Sequence, residues 1–143
     1  MTRALRPALL VLHAFVAVTA LGGGLALIIG SLVPSLRTVL VPPEQYLEGS
    51  PFASYLVPGL TLLVLVCGTQ AAAFVAVLRH SRWAATASAS AGLVCTGWIF
   101  VQMVYIPFSV LQALYFPVGL AQLGLTLLTL GVLPRAAAAP RPQ

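Results

Sequence analysis

Two glutamates, Glu44 and Glu48, are the only acids in a chain of 143 residues. If their stretch is helical, a spacing of four puts both on one face. A glutamate, if buried near a lipid interface, would have the raised pKa that general acid catalysis uses. The competing reading is a pair of solvated loop charges close to Arg37.

A second constellation is uncharged. Trp98, Gln102 and Tyr105 follow one another at helical spacing, as do Gln112, Tyr115 and Gln122. Each set shares one face of a helix. Amides and phenols on such faces either wall a pocket for a lipophilic molecule that opens toward the outer leaflet, covered by the loop carrying Glu44, Tyr46 and Glu48 with Tyr55 at the same end, or serve as interhelical hydrogen bonds and an interfacial aromatic belt.

Other chemistry finds little support. Cys67 and Cys95 do not form a CxxC pair, and they read as small packing residues on adjacent helices. His13 stands alone on the first apolar run and reads as a hydrogen-bonded helix residue. With His80 the only other histidine, no metal site is expected. Neither a phosphate loop nor a Ser/His/Asp set is present, and no cofactor is implied.

The elements that must position these residues are set by composition. The chain is 60% hydrophobic and 6% charged, against roughly 25% charged in a soluble domain. Its net charge of +5 comes from seven arginines. They sit at the ends of apolar runs, a topology signal and not a nucleic-acid footprint.

Four runs, at about 8–33, 55–78, 84–106 and 109–133, each reach the roughly 20 residues needed to cross a bilayer. They lack the alternation of barrel strands, so the expected fold is all-α, a single membrane domain over 1–143 forming a four-helix bundle. A cleaved signal peptide ending near Ala20 is the rival for the first run, which continues to Ile29 and disfavours cleavage.

Six arginines (Arg3, Arg6, Arg79, Arg82, Arg135 and Arg141) fall on one side of such a bundle, and only Arg37 falls on the other. The positive-inside rule then places both termini, and the tail 134–143, in the cytoplasm of a multi-pass cell-membrane protein. The long loop 34–54 lies outside. It is too apolar for free solution and is expected to rest on the membrane or fold over the bundle. Within it, Ser50-Pro51 resembles an N-cap followed by proline at the first helical position.

Small residues at four-residue spacing, Gly22, Ala26 and Gly30 in the first run and Ala84, Ser88, Gly92 and Thr96 in the third, suit close helix packing or a dimer face. Pro117 is expected to kink the fourth helix.

The stretches Glu48-Gly-Ser-Pro-Phe, Tyr55-Leu-Val-Pro-Gly59, Trp98-Ile-Phe-Val-Gln102 and Leu111-Gln-Ala-Leu-Tyr115 resemble a family of small, uncharacterised four-helix bacterial membrane proteins. The resemblance covers most of the chain and implies that the loop motif and the Trp, Gln and Tyr faces act together. It implies no activity.

The leading expectation is a membrane component without catalysis, either an accessory subunit beside a membrane partner or its own copies, or a protein that binds a lipophilic small molecule. The alternative is a small membrane enzyme, an isomerase or cyclase, using Glu44 or Glu48. Transport is disfavoured, because no span carries an ion relay.

Overall fold

The computed structural model describes residues 5–132, and within them every regular element is helical. Four helices dominate: α1 (Leu5–Leu32), α2 (Leu56–Leu78), α3 (Ala84–Tyr105) and α4 (Val110–Thr129). All four are long and apolar enough to cross a membrane. Arg3, Arg135, Arg141 and the tail lie outside the described residues.

Local sequence ends each helix for an identifiable reason. Pro34 follows α1, and Pro107 forces Ile106 into extended backbone (φ −116°, ψ 137°) at the end of α3. At the start of α4, Ser109 and Gln112 form a reciprocal capping box that satisfies two orphan backbone N–H groups.

α4 closes on Gly131 in the left-handed region (φ 69°), with Val132 N–H donating to the Leu127 carbonyl and Gly131 N–H to that of Leu128. α2 closes by the same pair of bonds, Ser81 to Ala76 and His80 to Val77. There the left-handed position is occupied by His80 (φ 53°), where glycine is the usual choice.

Two glycine crossings bring the helices together. A Cβ on Gly24 would stand 3.0 Å from the Gly59 carbonyl oxygen, and one on Gly59 would stand 3.1 Å from that of Gly24. These positions must lack side chains for α1 and α2 to approach so closely. Gly92 and Gly119 play the same part between α3 and α4, with Thr96 beside them.

The expected stripe on α1 is therefore displaced. Gly22 faces open space, and Gly30 packs against Leu40 and Val41 of the loop. The stripe on α3 does make a helix contact, through Gly92 and Thr96.

α2 is not uniform, since its middle, Leu62–Cys67, widens into a π turn. Pro58 sits near the helix start and is buried, and Pro117 lies inside α4. Six hydroxyls, on Thr19, Ser31, Thr61, Thr69, Thr96 and Thr126, donate to the carbonyl four residues earlier. They satisfy themselves locally and place no demand on neighbouring helices.

The bundle has two distinct ends. One holds the start of α1, the Arg79–Trp83 turn and the end of α4, and is called here the terminal end. The other, the loop end, holds the Pro107–Phe108 turn and the segment 33–55. That segment runs through three short turns, Pro34–Leu36, Arg37–Leu40 and Glu44–Leu47.

Ser50 does not cap a helix. Its hydroxyl donates to the Leu47 carbonyl at 2.8 Å and accepts from Phe52 N–H at 3.3 Å, a local turn, and α2 begins only at Leu56. Nor do Glu44 and Glu48 share a helical face. The turn at Glu44 is too short, and Glu48 follows it in extended backbone (φ −61°, ψ 126°).

Candidate functional site

Polar side chains that cannot satisfy themselves collect at two depths, and the two groups are built differently. The first lies in the half of the bundle nearer the terminal end. His13 of α1, Gln70 of α2, Ser88 of α3 and Gln122 of α4 are each wholly buried, so every long helix contributes one member.

Gln70 is the hub. Its Nε2 donates to Gln122 Oε1 at 2.9 Å, and Gln122 Nε2 donates back to Gln70 Oε1 at 2.9 Å, a closed amide pair. A further bond runs from Gln70 Nε2 to the Ala91 carbonyl at 3.2 Å.

His13 completes the group, with Nδ1 2.6 Å from Gln70 Oε1 and Nε2 3.0 Å from Ser88 Oγ. Gln122 Nε2 also lies 3.3 Å from Nδ1, but the shorter contact is to Gln70 Oε1, which can only accept, so Nδ1 carries the proton, and in a neutral ring the Ser88 hydroxyl donates to Nε2. A neutral imidazole is thus fully paired, and the cluster needs no charge. Below it, Arg6 reaches the last carbonyls of α2, donating to Val77 at 3.3 Å and to Leu78 at 2.9 Å.

Sequence reasoning took His13 as a lone helix residue and Ser88 as a small packing residue, and it passed over Gln70. The signal was depth. His13 and Gln70 stand equally far from the helix ends that meet at the terminal end, and Ser88 and Gln122 stand at comparable depth on the hairpin partners. With a fixed 1.5 Å rise per residue, four polar groups at one level must find one another.

At the loop end the bundle opens into a cavity of about 430 Å³. Tyr46, Tyr55, Trp98, Gln102, Tyr105 and Gln112 all border it, and the loop supplies a roof through Leu40, Pro42 and Leu47. A second cavity of about 240 Å³ lies deeper, bordered by Ala20, Cys95 and Tyr115. The two share Gly23, Leu62, Trp98, Gln102 and Leu111 in their walls.

The walls are mostly hydrocarbon, which corrects the expectation of a pocket walled by amides and phenols. Two of the polar groups are already committed. Gln112 accepts the Ser109 N–H in the helix cap, and Tyr55 donates to the Pro43 carbonyl at 2.9 Å, pinning the loop over the cavity. Tyr55 precedes α2, and burial first, then Tyr46 and Glu44 nearby, pushes its phenol above the usual range, so it remains a neutral donor.

Tyr115 stacks on Phe15 of α1 with ring centroids 5.7 Å apart. The indole Nε1 of Trp98 is buried and has no hydrogen-bond partner.

The two glutamates are elsewhere. Glu44 is exposed and pairs with Arg37 at 2.9 Å, Glu48 is exposed, and neither borders either cavity. Cys67 and Cys95 are both free thiols. Among the described residues no cluster of side chains suits a metal ion. Comparison with protein families, with curated proteins and with solved structures finds no match to this chain.

Proposed function

We propose that this protein is a multi-pass membrane protein that holds a lipophilic small molecule in the cavity at its loop end. Support for the membrane setting comes from its outer surface. Val11, Val18, Leu32, Val64, Leu93, Phe100, Val110 and Leu111 are all more than 60% exposed, which water disfavours and lipid tolerates. Arg6, Arg79 and Arg82 gather at the terminal end, and Arg37 at the loop end is matched by Glu44 and Glu48. The positive-inside rule then puts both termini in the cytoplasm and the cavity in the outer half of the bilayer.

The observation that carries the binding role is the cavity itself. At about 430 Å³ it falls within the range of roughly 300–1,000 Å³ usual for small-molecule sites. Its walls are mostly apolar with a few polar groups among them, the lining usual for such sites. The placement of Glu44 and Glu48 away from both cavities favours binding over acid/base chemistry by either one.

The test is purification in mild detergent followed by native mass spectrometry and lipid extraction. A co-purifying lipophile is expected from the wild type, and its loss is expected from Ala26→Phe, which fills the cavity. An empty wild-type protein carrying a stoichiometric protein partner would overturn the reading in favour of an accessory subunit.

A further inference from the structure

The wall between the two cavities is the least satisfied place in the described structure. Trp98 and Gln102 border both chambers. The Trp98 Nε1–H has no partner, and the Gln102 amide joins none of the hydrogen bonds that occupy Gln112, Ser109, Tyr55 and Pro43. A buried donor without an acceptor is unfavourable, and native structures seldom keep one without a use for it.

An indole N–H can only donate, so what it lacks is an acceptor. None of the residues bordering either chamber carries a charge, so a formally charged group there would lose its hydration without an opposite charge to replace it. Beyond the partition the inner chamber is bordered by Val66, Ile99, Cys95 and Tyr115, a mostly apolar setting that suits hydrocarbon.

Building on the binding role proposed above, we infer that the ligand is an uncharged lipophile with an acceptor oxygen, of carbonyl type, set against Trp98 and Gln102, and with an apolar chain entering the inner chamber. Nε1 is closed off in the structure as it stands. The ligand oxygen therefore meets Gln102 first, and the bond to the indole requires the ring to turn, which makes Trp98 fluorescence the natural readout. Trp83, exposed at the far end of the bundle, is the second tryptophan and is removed as Trp83→Phe.

The experiment titrates the full-length Trp83→Phe protein in detergent with hexadecan-2-one, with hexadecane and with the short ketone octan-2-one, reading Trp98 emission and native-mass occupancy. The long ketone is expected to bind about three- to tenfold more tightly than the alkane, as one recovered hydrogen bond allows, and to shift the emission. That preference is expected to vanish in Gln102→Leu and in Trp98→Phe, the latter read by occupancy alone. Ala20→Ile, which fills the inner chamber, is expected to erase the advantage of the long ketone over the short one.

Equal binding of ketone and alkane would overturn the acceptor assignment and leave the apolar binding role standing. Equal binding of long and short ketones to the unfilled protein would overturn the assignment of the inner chamber. Absence of binding by all three, with an empty protein on purification, would overturn the binding role itself.

Discussion

The two polar regions of this bundle use similar residue types to opposite ends. In the terminal half, His13, Gln70, Ser88 and Gln122 are completely buried and bonded to one another, with hardly a donor left over. In the loop half, Trp98 and Gln102 border empty space, and the Trp98 donor is unused. A polar side chain in a membrane helix is thus not informative by type. What separates adhesion from recognition is whether its valences are filled from within the protein.

The sharpest way to break this contrast is Gln70→Leu. It removes the acceptor of His13 Nδ1 and both partners of the Gln122 amide pair together, and is expected to cost about 2–3 kcal/mol, measured as the shift in thermal or detergent-induced unfolding. Replacing all four members at once (His13→Leu, Gln70→Leu, Ser88→Ala, Gln122→Leu) is expected to recover most of that loss, because no unpaired group then remains. A quadruple variant weaker than the single one would show that the cluster stabilises beyond satisfying itself.

Gly59→Val comes next, at about 1–3 kcal/mol, since its side chain would drive α1 and α2 apart at Leu27, Ile28 and the Gly24 carbonyl. Ala26→Phe, by contrast, adds volume where there is room. It is expected to leave stability unchanged or raise it by about 0.5–2 kcal/mol while abolishing ligand retention, the reverse of the pattern at the terminal half. Smallest is Glu44→Gln, which removes an exposed ion pair with Arg37 and is expected to cost about 0–1 kcal/mol with no change in bound ligand.

Much of the architecture is legible in the residues, because long apolar runs admit few folds and Pro34, Pro107 and Ser109 mark where helices stop and start. The grouping of Trp98, Gln102, Tyr105 and Gln112 was legible for a related reason, a tight turn that fixes their relative depth. Three things were not. Gly24 and Gly59 meet because of helix rotation, which a four-residue spacing does not specify, and Gly22 matched the pattern equally well. The π turn at Leu62–Cys67 lies in a run of Leu and Val with nothing to announce it. The loop misled most, since Ser50-Pro51 and the Glu44/Glu48 spacing have the local form of a helix start and a helix face. What decides their shape is tertiary: Tyr55 bonded to Pro43, and Arg37 to Glu44.

The buried cluster draws one member from each long helix, and this bears on how the protein is made. Synthesis delivers α1 first and α4 last, so His13 and Gln70 are made before Gln122 exists. Until α4 arrives, Gln70 has His13 and the Ala91 carbonyl as partners and lacks only the Gln122 amide that closes its pair. The arrival of α4 therefore fills the last valences of the cluster in one step.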